Sequence, residues 1–169
     1  MIGFIDRKEE FSVLNERFNS LKKGELIILY GRRRVGKTEL ARKFLNETAK
    51  EKGAYLLMDE GTPSDMLRSI SEDVTSSWPE VRRGFNSWES FFSFLAERAG
   101  EGKAVIAIDE FQRMHTDPRA FTRLQKHWDT QLKDKPIMLL LLGSAVGAIH
   151  KIAINSKSPL FGRATARLN

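Results

Sequence analysis

Leu26-Ile27-Ile28-Leu29-Tyr30-Gly31-Arg32-Arg33-Arg34-Val35-Gly36-Lys37-Thr38 joins an apolar run to a glycine-bounded basic loop. Its apolar run, 26–30, stops at a glycine, as a strand buried on both faces does. Gly31 to Thr38 then matches G-x-x-x-x-G-K-[ST] at every fixed position, and the helical pattern of 37–50, closed by Gly53, follows it. The glycines let the backbone curl so that successive N–H groups point inward, and the helix N-terminus adds its partial positive charge. A triphosphate is the guest this arrangement implies. Lys37 is expected to reach its β- and γ-phosphates as a mobile cation, and the Thr38 hydroxyl to ligate Mg²⁺. Gly31, Arg32, Arg33, Arg34, Val35 and Gly36 form the cradle. Its three arginine side chains are expected to point outward, where they either strengthen the anion field or serve solubility or a neighbouring subunit.

A phosphoryl-transfer site also needs a carboxylate at the end of a buried strand for Mg²⁺, and a base beside it for an attacking water. Two acidic pairs compete. Asp109-Glu110 follows Val105-Ile106-Ala107-Ile108, and Asp59-Glu60 follows Ala54-Tyr55-Leu56-Leu57-Met58. The first pair is preferred because its strand is the more β-branched and a capped helix follows its loop, which suits the C-terminal edge of a sheet. Asp109 is thus the expected metal carboxylate and Glu110 the expected base, while Asp59 and Glu60 read as an exposed turn before Gly61. Ser144, just past the apolar run 137–142, emerges at the same edge. Two readings stay open for it: a hydroxyl that orients water or touches the γ-phosphate, or the N-cap of the next helix.

Outward from this centre, strands and helices alternate. Asp6 with Glu9 reads as a capping box for a first helix with the stripe Phe11, Leu14, Phe18 and Leu21, ended by Gly24. Residues 54–58, 104–108 and 137–142 are predicted buried strands, and 164–168 a fifth. Helices are predicted from Pro63 to about 73, from a second capping box of Asn86 and Glu89, from Asp117-Pro118, and over 145–154, with 75–84 irregular. The stripe Trp88, Phe91, Phe92 and Leu95 is assigned to core packing. Apolar strands alternating with helices imply an α/β fold of three layers, a parallel sheet covered on both faces.

Composition closes off other chemistries. The 169 residues hold no cysteine, and the three histidines lack metal-ligand spacing, which excludes disulfides and thiolate zinc sites. The run 137–142 is too short to span a bilayer, which takes about 20 residues. The N-terminus lacks the apolar core of a secretory signal, so a cytoplasmic location without membrane contact is expected. The net charge of +6 favours polyanions only weakly, because the basic residues are spread along the chain.

With these pieces placed, the chain resembles the archaeal-type ATPases of the STAND/AAA+ assemblage. Phe4-Ile5-Asp6-Arg7 is similar to that family's segment beside the adenine, Tyr30 to Leu40 to its phosphate loop, and Ile108-Asp109-Glu110-Phe111-Gln112 to its metal strand. Leu124-Gln125 with Trp128-Asp129, Leu142-Gly143-Ser144 and Ser158-Pro159-Leu160-Phe161-Gly162-Arg163 continue the likeness. The resemblance implies strand order 5-1-4-3-2 and nucleotide contacts by Asp6, Arg7 and Glu39. It also gives Ser144 a sensor role and makes Arg163 an arginine that reaches the γ-phosphate of a neighbouring protomer. Members continue into a helical lid and further regions, so 1–169 is expected to be a single core domain cut before them.

These residues imply ATP and Mg²⁺ as ligands and ATP hydrolysis coupled to conformational change as the function. The alternative is a slowly hydrolysing nucleotide switch, or a DNA- or partner-binding module, acting as a homo-oligomer or through the further regions. A P-loop kinase fits less well because the Asp109-Glu110 pair favours activating water. A GTPase is disfavoured by the absence of an Asn-Lys-x-Asp segment.

Overall fold

The computed structural model describes residues 7–32 and 36–169. Five strands, β1 (Glu25–Tyr30), β2 (Gly53–Leu57), β3 (Ala104–Asp109), β4 (Ile137–Gly143) and β5 (Ala166–Leu168), form one sheet in the order β2-β3-β4-β1-β5. Every neighbouring pair is parallel. This is the expected 5-1-4-3-2 order read from the other edge. The register sets Tyr30 beside Gly143 and Leu57 beside Asp109, so the carboxyl ends of four strands share one rim.

Alternate residues of a strand face opposite sides, and here both sides are covered. Ile28, Ile106, Ile108, Leu139 and Leu141 pack under α3 (Pro63–Ser77), α4 (Trp88–Gly100), α5 (Pro118–Thr130) and α6 (Val146–Ile149). Ile27, Leu29, Val105, Ala107, Leu140 and Leu142 pack under α1 (Lys8–Asn19) and α2 (Lys37–Phe44). β3 and β4 are buried at every residue, hence their unbroken apolar runs. β2 departs from the buried strand expected there: it is an edge strand of alternating burial, and Leu57 is 40% exposed. The Trp88, Phe91, Phe92 and Leu95 stripe lies in the core.

Helix ends follow local capping chemistry, not always at the residues anticipated. α3 starts in a capping box of Thr62 and Asp65 with Pro63 in its first turn, and it runs on to Ser77, so the irregular stretch is 78–87. α4 is capped by Ser87, which accepts from the Ser90 amide, and not by an Asn86-Glu89 box; Glu89 instead meets His127 at 3.1 Å. Asp117 caps α5 as anticipated, and also accepts from Trp88 Nε1 at 2.9 Å. α1 begins at Lys8 and ends at Asn19, short of Gly24, while the expected cap Asp6 lies outside the described residues. Among the described residues no helix is long and apolar enough to cross a membrane.

Candidate active site

The site forms where β1 hands over to α2. Gly36 has φ 79°, a left-handed conformation that glycine adopts without strain, and its carbonyl accepts from the Leu40 amide at 2.9 Å as α2 begins. This turn aims the first residues of α2 at the strand rim. Lys37 is 6% exposed, and its ammonium donates to the carbonyls of Gly31 at 2.9 Å and Arg32 at 2.6 Å. Burial, reinforced by the nearby Arg7 cation, holds its pKa below the usual lysine value against the opposing pull of Glu110 and Asp109. Lys37 therefore sits between cation and carboxylates, with a charge that a phosphate would stabilise further.

Thr38 and Asp109, 71 residues apart, meet at the end of β3. The Thr38 hydroxyl donates to Asp109 Oδ2 at 2.7 Å. Asp109 is 4% exposed and takes two further donors, the Tyr55 hydroxyl on Oδ2 at 2.5 Å and the Glu110 amide on Oδ1 at 2.9 Å. Burial first, then the bond to Asp109, pushes the Tyr55 phenol well up, so it stays a donor. Hydroxyl and carboxylate oxygens are the ligands a small hard cation takes. Among the described residues no group of three or more His, Cys, Asp or Glu could cage a metal. The pair thus fits Mg²⁺ held by few protein oxygens together with phosphates and water.

Glu110 follows in a left-handed conformation, φ 54° and ψ 40°, which costs a non-glycine residue about 1–3 kcal/mol and is concentrated at functional sites. This twist ends β3 and delivers the carboxylate to the end of β4. There Ser144 Oγ donates to it, 2.9 and 3.0 Å from its two oxygens, and Gln112 Nε2 donates at 2.5 Å. Ser144 does not cap the next helix: α6 starts after Ala145 without a side-chain cap. Gly143 makes room for Gln112, because a Cβ there would lie 2.6 Å from Gln112 Oε1 and 2.5 Å from Ile149 Cδ1. Beyond Glu110 a cleft of about 380 Å³ opens between the β2, β3 and β4 ends, lined also by Asp59, Glu60, His115 and Ser144. Asp59 and Glu60 are exposed in the turn after β2, and Glu60 pairs with Arg113 at 3.5 Å.

The structure thus brings together Lys37, Thr38, Asp109, Glu110 and Ser144, with Arg7, 8% exposed, close enough to act on Lys37. Arg7 also pairs with Glu10 at 3.4 Å. Arg32 and Glu39 are exposed at the loop and on the first turn of α2. Asp6, Arg33, Arg34 and Val35 lie outside the described residues. Arg163 is placed elsewhere: its guanidinium forks onto Asp129 of α5 at 3.0 and 2.6 Å and also donates to the Pro159 carbonyl. Tyr55 and Gln112 were not singled out as site residues by sequence reasoning. A strand tyrosine carries no signal of its own. Gln112 carries a faint one, an amide two residues past a candidate base.

Residues 4–169 match a family described as an ATPase domain predominantly from Archaea. An uncharacterized protein of Methanocaldococcus jannaschii is 34% identical over 166 residues, 98% of this chain and 35% of that one. An uncharacterized ATP-binding protein of the same organism is 56% identical over 45 residues, 27% of this chain and 75% of its own. Among solved structures, a Walker-type ATPase of Pyrococcus abyssi superposes with a TM-score of 0.68 at 23% identity, over 96% of this chain and 52% of that one. The Aeropyrum pernix ORC1 protein, solved in complex with DNA, gives 0.66 at 20% identity over 96% and 44%. The likeness to the solved structures establishes the shared fold. The chain spans about a third of the longer Methanocaldococcus relative and about half of these structures.

Proposed function

Because this chain belongs to the family of ATPase domains found predominantly in Archaea, we propose that it binds MgATP at the β1–α2 corner and hydrolyses it with Glu110 as the base. The observation that carries this reading is the 2.7 Å bond from Thr38 to Asp109, which joins the phosphate-loop hydroxyl to a buried carboxylate at the strand rim. Loop amides and the Lys37 ammonium bind the β- and γ-phosphates, the ammonium leaving the Gly31 and Arg32 carbonyls for a stronger anionic partner. Thr38 donates its hydrogen bond to Asp109, which leaves a hydroxyl lone pair toward the cation. When bound there, Mg²⁺ neutralises charge developing on the phosphate oxygens. Glu110 orients a water and takes its proton as the water oxygen attacks the γ-phosphorus, the bond to the ADP oxygen breaks, and phosphate leaves. Ser144 and Gln112 set the direction of the Glu110 carboxylate.

In the same reading Arg163 serves a neighbouring protomer's nucleotide, which requires its fork onto Asp129 to open. Turnover is coupled to a DNA or protein partner of the longer protein. The test is calorimetry of MgATP and MgADP binding with phosphate release. Lys37→Ala removes the binding heat, whereas Glu110→Gln keeps it and loses about 10²–10⁴-fold in turnover. A wild-type chain that gives no heat with either nucleotide removes the reading.

A further inference from the structure

The Asp109 carboxylate has more donors than a phosphate-loop threonine alone supplies. Its Oδ1 takes the Glu110 amide, and its Oδ2 takes two hydroxyls, Thr38 from α2 and Tyr55 from β2. The two hydroxyls differ in what else they do. Thr38 is exposed at the rim and faces the phosphate corner, whereas Tyr55 is half-buried against the core beneath α1 and α2.

Two features fix the Tyr55 ring. The β2–β3 register sets Tyr55 opposite Ala107, two residues before Asp109, and the small alanine leaves space for the ring to run along β3 toward the carboxylate. The Arg42 guanidinium covers the ring, 4.1 Å from its centroid. Arg42 is four residues after Thr38, so one face of α2 carries both the hydroxyl that meets Asp109 and the cation that presses on Tyr55. Asp109 is 4% exposed, which leaves little room for water to stand in for the phenol donor.

We propose that Tyr55 is a positioning residue for the divalent cation, its hydroxyl fixing the Asp109 carboxylate in the orientation that meets Thr38. This rests on the MgATP reading above and deepens it. The ring packs like any aromatic core residue, and the hydroxyl alone does the positioning. A phenylalanine keeps the packing and the Arg42 guanidinium over the ring, and removes the hydroxyl with its bond to Asp109 and its hydrogen bond with Arg42. Outer donors to metal-binding carboxylates act on metal affinity, with losses of about 10–100-fold when they are removed. Tyr55 bonds to Asp109 and lies under Arg42, so its loss is expected to act on the metal and to leave nucleotide affinity without metal unchanged.

The experiment uses the full chain as wild type, Tyr55→Phe and Asp109→Asn. Mn²⁺ binding is followed through the electron paramagnetic resonance signal of the free ion at saturating ADP, and a fluorescent ADP analogue is titrated separately in EDTA. Tyr55→Phe weakens Mn²⁺ about 10-fold with metal-free ADP affinity unchanged, and Asp109→Asn weakens Mn²⁺ further. Equal Mn²⁺ affinity in Tyr55→Phe and wild type, with Asp109→Asn weakened, overturns the assignment and leaves the MgATP reading standing. A parallel loss of metal-free ADP binding in Tyr55→Phe also overturns it, because the residue then acts on the fold. Absence of ADP binding by the wild type removes the MgATP reading and this inference with it.

Discussion

Replacing Asp109 by Asn separates the proposed metal function of this carboxylate from its structural one. The substitution leaves Oδ1 to accept from the Glu110 amide and puts an amide nitrogen where Oδ2 accepts from Thr38 and Tyr55. A bond to a charged acceptor is worth about 1.5–3 kcal/mol and a neutral one about 0.5–1.5 kcal/mol, so two such exchanges cost about 2 kcal/mol in total. Both hydroxyls can turn to accept from the new N–H groups, and a neutral group replaces a charge that is 4% exposed, which offsets part of that cost. For a chain of 169 residues the ceiling of 2 kcal/mol is a fall of about 4–8 °C in Tm. Hydrolysis is expected to suffer far more, because Thr38 loses its charged hydrogen-bond acceptor and the cation its anionic partner: turnover at limiting Mg²⁺ drops by about 100-fold. The assay is phosphate release at fixed ATP across a Mg²⁺ titration, beside thermal unfolding of the same samples. Asp59→Asn, in the exposed turn after β2, stays at the wild-type rate. Loss of hydrolysis in Asp59→Asn with a wild-type curve for Asp109→Asn moves the metal carboxylate to the end of β2 and overturns the assignment.

Two further outcomes follow from packing and charge. Gly143→Ala drives a methyl toward Gln112 Oε1 and the fully buried Ile149, an overpacking worth about 1–3 kcal/mol by thermal unfolding. Adding Gln112→Ala recovers part of the loss, and a strictly additive double variant contradicts the contact. Burial pushes the Asp117 carboxyl up, but the Arg119 side chain, Trp88 Nε1 and the Arg119 amide outweigh it and hold the group below its ordinary value of 3.8. The unfolded chain therefore takes up the proton first as the medium is acidified. Asp117 contributes its full stability above the ordinary carboxylate range and loses it as pH falls through the lower folded value. Urea midpoints between about pH 5 and pH 2 should fall less steeply for Asp117→Asn than for wild type; parallel slopes count against the assignment.

The fold was legible in the sequence because its signals are local. Burial on both faces wrote β1, β3 and β4 as continuous apolar runs, and Gly36 needs its left-handed turn wherever α2 begins. β2 was harder, since an edge strand buries only one face and its alternation is weak over five residues. The caps at Ser87 and Thr62 show the limit of spacing rules: several serines, threonines and asparagines satisfy the same pattern, and the backbone path chooses among them.

For the site, the phosphate loop was readable because its residues are contiguous, and Asp109-Glu110 ranked above Asp59-Glu60 through the strand that precedes each pair. Folding in three dimensions is what makes Thr38 meet Asp109, Ser144 and Gln112 hold Glu110, Tyr55 reach Asp109, and Arg163 lie on Asp129. The physical reason is that these bonds reach across strand register and helix placement, up to 71 residues apart along the chain between Thr38 and Asp109. Such distances are set by how the sheet packs against its helices, and no local pattern encodes them.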